Sequence, residues 1–194
     1  MEGQKRNIVS WFVAILLSAI AVGAAWHQLS YRPYRVYEDC RGLRLCVENM
    51  RQWEERMESK DLGVIRMAGW RIGTEQAVIS ISTKRKRTAY VIWVYGSMEL
   101  AGSAELLWGR FGLELEKGYC VISEELARNL FGSTDAAGES VKTEDGTMMV
   151  AGVIEKEGEI LMAPVADGRI EYLAVEFDSR IGAEEKVKRL LEEY

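Results

Sequence analysis

The chain has 194 residues, 48% of them hydrophobic, with 25 Lys and Arg against 30 Asp and Glu, a net charge of −5 at neutral pH. That acidic balance argues against a nucleic-acid binder. A single histidine, His27, lies at the edge of an apolar segment, which nearly closes the Ser-His-Asp and Cys-His classes of catalysis.

The first element is that apolar segment. Ile8 to Trp26 holds no charged residue, and only Ser10, Ser18 and Gly23 interrupt it. At about 1.5 Å rise per residue it spans about 28 Å as a helix, close to the roughly 30 Å hydrocarbon core of a bilayer. Trp11 and Trp26 stand near its ends, where indole rings favour the interface, and Lys5 and Arg6 precede it. The expectation is a cytoplasmic N-terminus over residues 1–7, an anchor in membrane lipid over 8–26, and an extracytoplasmic remainder. Arg32, Arg35, Arg41 and Arg44 follow closely, so loop charge alone does not set the orientation. A cleaved signal peptide is the competing reading, suggested by Ala21, Gly23, Ala24 and Ala25; the length of the run and the bulk of Trp26 favour the anchor. Both readings send the rest of the chain across the membrane. No second apolar run long enough to span a bilayer follows Trp26.

Residues 27–42 read as a stalk. Tyr31, Tyr34 and Tyr37 with Arg32 and Arg35 fit either lipid headgroup contact or an ordinary extended connector stiffened by Pro33. The extracytoplasmic domain then covers 43–194. Leu43, Cys46, Val47, Met50, Trp53 and Met57 recur at helical spacing, with Glu48, Arg51, Glu54, Glu55 and Arg56 on the other face. Val64–Met67, Ala77–Ser82 and Thr88–Tyr95 read as strands of a hairpin or meander. Lys84-Arg-Lys-Arg87 lies between the last two; a solvated hairpin tip is favoured over an anion or headgroup patch, because charge there discourages edge pairing.

The clearest punctuation comes next. Tyr119–Ile122 is a short apolar strand, Ser123 stands at an N-cap position, and Glu124 and Glu125 place negative charge at the positive end of a helix. Leu126 with Leu130, and Ala127 with Phe131, make one apolar face; Gly132 suits a left-handed helix end. Ser133, Asp135 and Gly138 form a turn, and Met148–Ile154 resumes as strand. Tyr172–Phe177 reads as a late strand and Ala183–Tyr194 as a short helix. The fold class is therefore α+β: one helical anchor and a mixed domain, with a division into two lobes considered near residues 96–113.

The order Leu-Trp108-Gly-Arg110, Cys-Val-Ile-Ser123-Glu-Glu-Leu-Ala127, Leu-Phe-Gly132, Ala-Gly138-Glu-Ser-Val141 and Val150-Ala-Gly-Val-Ile154 resembles the extracytoplasmic core domain of MacB/FtsX-type ABC transporter permeases. Ala137 replaces the usual turn valine. The resemblance covers roughly a third of the chain, the extent of one strand–helix–strand unit, and its motifs are packing residues and glycines. It implies a two-lobed core, no chemistry of its own, and a partner in the form of a multi-span permease or ATP-binding subunit; no cargo follows. A complete permease of that kind carries later transmembrane helices that this sequence lacks.

Chemistry enters mainly as exclusions. No Gly-x-Ser-x-Gly, phosphate-binding loop or dinucleotide fingerprint occurs, and no catalytic, cofactor or metal residue is assigned. Cys40-x5-Cys46 is not a metal spacing; the pair is either a local disulfide or two reduced thiols, and Cys120 belongs to a strand core. Glu114 with Glu116, Glu124 with Glu125, and Glu155 with Glu157 and Glu159 are carboxylate pairs that more often decorate a solvated surface than form an acid/base dyad. The alternative function is an anchored or secreted envelope-binding domain or hydrolase, for which Glu114, Glu116 and Trp108 would have to converge on one pocket. Lys84–Arg87 and the Trp93/Tyr95 strand are the first places to look for a partner surface.

Overall fold

The computed structural model describes residues 33–60, 63–111 and 118–192, with the side chains of 57–60 outside that description. In chain order the elements are β1 (Tyr34–Asp39), α1 (Val47–Lys60), β2 (Val64–Ser80), β3 (Lys86–Gly96), α2 (Met98–Gly102), β4 (Glu105–Gly109), β5 (Tyr119–Ser123), α3 (Glu124–Phe131), β6 (Ser140–Thr143), β7 (Gly146–Glu155), β8 (Ile160–Pro164), β9 (Tyr172–Phe177) and α4 (Ala183–Leu191). Residues Tyr34–Tyr194 make one unit, so the passage 96–113, considered as a lobe boundary, lies inside it and contributes α2 and β4.

The long β2–β3 hairpin organises the sheet. The strands lie in the order β1-β9-β2-β3-β8-β5-β7-β4, and β6 pairs with both β2 and β7. That bridge closes a ring, β2-β3-β8-β5-β7-β6 and back to β2, through Ile79↔Lys142 and Ser80↔Val141. Register shifts at Ile72/Glu75 in β2 and Cys120/Val121 in β5 supply the bends a curled sheet needs.

Side-chain alternation decides what each face holds. Every strand of the ring sends at least one buried residue to a cluster around α3: Val78, Val91, Leu161, Ile122, Val150 and Val141 pack with Leu126, Ala127 and Leu130. Beside it, β1, β9 and the first half of β2 bury Val36, Met67, Leu173, Val175 and Phe177 under α1 and α4. On the opposite face Ala68, Val94, Ala174, Val121 and Met162 lie beneath Met98 and Leu100 of α2.

The strand–helix–turn–strand unit stands where the sequence places it. Ser123 Oγ accepts the Leu126 N–H at 3.3 Å, and Gly132, at φ 80°, donates its N–H to the Arg128 carbonyl. β9 and the start of α4 also agree with expectation. Three differences have physical causes. The segments Val64–Met67 and Ala77–Ser80 belong to one strand, β2, while Ile81 and Ser82 of the expected second strand lie in the turn beyond it; the glycines and polar residues between them break alternation, but pairing with β9 and β3 holds the chain extended. Tyr34–Asp39, within the expected stalk, is an edge strand hydrogen-bonded to β9. α1 begins only at Val47, because the Asn49 side chain reaches back to accept the Cys46 N–H at 2.9 Å, half of a capping box. Cys40, Cys46 and Cys120 are all free, so the disulfide alternative is not realised. Among the described residues no helix is long and apolar enough to cross a membrane; the expected anchor, 8–26, and His27 lie outside the described residues.

Candidate functional site

The basic hairpin tip is a fixed surface. Lys84 takes a left-handed conformation at φ 63°, and its N–H donates to the Ser80 carbonyl at 3.1 Å. Thr83 Oγ1 donates to the Leu130 carbonyl at 2.6 Å, capping the last turn of α3, and Ser82 Oγ donates to Glu139 Oε2 at 2.7 Å. Lys84, Arg85, Lys86 and Arg87 are exposed around this anchorage, near the negative end of the α3 dipole. Arg87 also approaches Glu159 at 3.7 Å. The solvated tip expected from sequence is therefore present, and part of its charge serves the fold beneath it.

The Trp93/Tyr95 strand is not a free surface. Tyr95 is 4% exposed under α1, and its hydroxyl donates to Glu54 Oε2 at 2.7 Å. Trp93 is half-buried against the ring core with the Arg71 guanidinium 5.8 Å from its ring centroid. Both residues project from the helix-covered face of β3, where alternation with the buried residues of β2 and β8 directs them.

Sequence reasoning missed a charge network on the other face. Glu176 of β9 lies directly between its register partners Arg35 on β1 and Arg66 on β2. Arg35 Nε donates to its Oε1 and Arg66 Nε to its Oε2, each at 2.7 Å. Arg66 also holds Glu99 at the start of α2, with Nη2 donating to Oε1 at 3.2 Å. Burial pushes the Glu176 carboxyl up, but the two guanidinium hydrogen bonds outweigh it and leave the group below its usual value. The spacing in sequence, 35, 66, 99 and 176, carries no local signal. The network fastens three strands and a helix.

The carboxylate pairs divide. An open depression of about 400 Å³ brings Glu124, Glu125, Glu155 and Glu157 together with Arg128 and Lys156. Glu124 is bound by Arg128, Glu125 accepts the Gly158 N–H at 3.0 Å, and Lys156 donates to the Gly102 carbonyl at 3.0 Å. Glu159 accepts from Asn129 Nδ2 at 2.6 Å. Glu124, Glu125, Glu159, Arg128 and Lys156 are thus engaged in local structure. Glu114 and Glu116 lie outside the described residues. Trp108, 49% exposed, is neither buried under the strand–helix–strand unit nor in the acidic depression; its Nε1 donates to Thr134 Oγ1 at 3.2 Å. Among the described residues no group of three or more His, Cys, Asp or Glu is placed to hold a metal ion.

No protein-family model matches the chain, and no curated protein matches it in sequence. Solved structures do match. The periplasmic region of MacB from Actinobacillus actinomycetemcomitans superposes with a TM-score of 0.61 at 15% identity, covering 76% of this chain and 72% of that one. The extracellular domain of the noncanonic ABC-type transporter YknZ, from Gram-positive bacteria, gives a TM-score of 0.58 at 15% identity over 84% of this chain and 90% of that one. The chain has the fold of the MacB periplasmic region.

Within this MacB-like fold, the sequence segments that carried the resemblance meet at one place. Cys120–Ser123 and Val150–Ile154 are the parallel strands β5 and β7 on either side of α3. Trp108–Arg110 runs along the outer edge of β7, with Gly109 opposite Gly152. The motif is therefore a packing signature of the ring and of the edge strand beside it.

Proposed function

We propose that this protein is a non-enzymatic, membrane-anchored extracytoplasmic domain of an ABC transporter permease of the MacB/FtsX type, or one associated with such a permease. The observation that carries the reading is the fold shared with the MacB periplasmic region and the YknZ extracellular domain, together with the apolar segment 8–26. Residues 1–7 are then cytoplasmic, 8–26 lie in lipid, and the folded domain is extracytoplasmic. Its role is to pass on motion generated by ATP hydrolysis in another subunit, or to bind a partner or cargo. A ring closed by β6, with its hairpin tip pinned to α3, suits a part that moves as one body, because its hydrogen bonds would have to break for it to deform. The tip Lys84–Arg87 is the partner surface of choice, standing at the opposite end of β2 from Val64.

Co-purification tests this directly. The tagged full-length chain, solubilised from its native membrane in mild detergent, is expected to bring down a multi-span permease or an ATP-binding subunit in stoichiometric amount. Recovery as a soluble, cleaved and solitary product would remove both the anchor and the transporter association.

A further inference from the structure

One stretch of the sheet is left open. β9 pairs with β2 as far as Trp70, and β6 takes up the same edge only at Ile79. Between them Arg71–Val78 has β3 on one side and, among the described residues, no strand on the other. The bulge at Ile72/Glu75 falls in this gap. Its walls are close. Glu171 Oε2 accepts the Ile72 N–H at a long 3.4 Å, and Asp145 Oδ2 accepts Gln76 Nε2 at 2.9 Å. A Cβ placed on Gly168 would stand 3.7 Å from Arg71 Nε.

The same notch holds two orphaned polar atoms. Arg71 Nε and Gln76 Oε1 are buried and, among the described residues, have no hydrogen-bond partner. Among the described residues Arg71 has no ion pair either; its guanidinium stacks on the Trp93 ring face. Such orphans are few in a folded protein, because each costs about 1–3 kcal/mol of desolvation. Two of them on one strand, on either side of a bulge and along an unpaired edge, are a donor, an acceptor and a strand edge awaiting the same occupant.

We propose that an extended peptide segment of a partner protein adds to β2 in this notch. Its backbone pairs with the open edge of residues 71–76, a carboxylate on it meets the Arg71 guanidinium, and an N–H of it satisfies Gln76 Oε1. Main-chain pairing supplies affinity in strand addition, and the side-chain positions supply selection. Arg71, without a counter-ion among the described residues, selects for the carboxylate. The slot is short: six residues of strand rise about 16 Å between the first and the last, which admits three or four residues of ligand. A second copy approaching with its own β2 is obstructed, because its β9 and β6 flank that strand just as they do here.

The test uses the full chain in detergent micelles and a synthetic probe short enough for the slot, an acetylated Val-Thr-Val peptide with a free C-terminal carboxylate, beside the same peptide as its C-terminal amide. Hydrogen–deuterium exchange is expected to slow at backbone amides within residues 71–76 on adding the carboxylate form. That form is expected to bind at least tenfold more tightly than the amide, and Arg71→Gln to abolish the preference. Unchanged exchange at saturating peptide, or equal affinity for the two forms, overturns the proposal; the wild-type comparison decides even if the variant fails to fold. Protection that rises with protein concentration in the absence of peptide would assign the notch to a second copy and overturn it as well.

Discussion

Gly109 and Gly152 face each other across the β4–β7 pair, each with no room for a side chain. A Cβ on Gly109, whose φ is 76°, would stand 2.2 Å from the Ala151 carbonyl oxygen; one on Gly152 would stand 2.4 Å from that of Arg110. Both neighbours are backbone, so relief requires the strands to part. Gly152→Ala is expected to cost about 3 kcal/mol or more, lowering the thermal midpoint by roughly 6–12 °C. A melt within 2 °C of wild type would show that β4 is not held to β7 in solution.

Glu176 is 1% exposed between two guanidinium groups that are themselves about one-third exposed. Glu176→Gln is expected to destabilise by about 2–4 kcal/mol, less than for a wholly buried pair because Arg35 and Arg66 keep Glu99 and solvent. The pH dependence follows from the lowered carboxyl. Its stabilisation is complete above the unfolded carboxylate range, near 4.5, and is lost as pH falls through the lower folded value. Chemical denaturation from pH 7 to pH 3 should therefore show the gap between wild type and variant constant down to about pH 5 and closing below it. A gap that closes between pH 7 and pH 5 would contradict the assignment.

Ser123 does more than cap α3. Its buried Oγ accepts the N–H of Leu126 at 3.3 Å and of Ile160 at 3.0 Å, and donates to the Gly158 carbonyl at 2.7 Å. Ser123→Ala leaves three backbone groups short of a partner, and about 2–4 kcal/mol is expected, above the roughly 1 kcal/mol of an ordinary exposed cap. Urea denaturation measures it, and a loss of only about 0.5 kcal/mol would mean that β8 is not tied to this cap.

The three thiols should separate by reactivity. Burial pushes Cys120 up to about 12, and burial with the nearby Glu38 and Asp39 charges pushes Cys40 up to about 11. Cys46 is half-exposed and donates to Asn49 Oδ1 at 2.9 Å. Iodoacetamide at pH 8 followed by mass spectrometry should modify Cys46 first, and Cys40 and Cys120 only after unfolding. Labelling of Cys120 in the native state, or recovery of a Cys40–Cys46 disulfide, would refute this arrangement.

What could be read from the residues alone was local. Ser123 and Gly132 bound a helix because a cap hydroxyl and a left-handed glycine act within one turn of the chain, and Tyr172–Phe177 is a strand because its own run of β-formers says so. The glycines at 109 and 152 were legible as part of a family pattern, though their reason, close approach of two backbones, was not. The tertiary structure decided what depends on distant partners. Tyr34–Asp39 looks like a connector until Phe177 and Tyr172 are beside it, and β6 closes the ring only because Lys142 meets Ile79. The fate of Trp93 and Tyr95 was settled the same way: alternation marks one face of a strand, and only packing under α1 and Arg71 makes that face the inner one. Glu176 is the extreme case, a charge whose burial is tolerable solely because Arg35 and Arg66 arrive from strands far away in sequence.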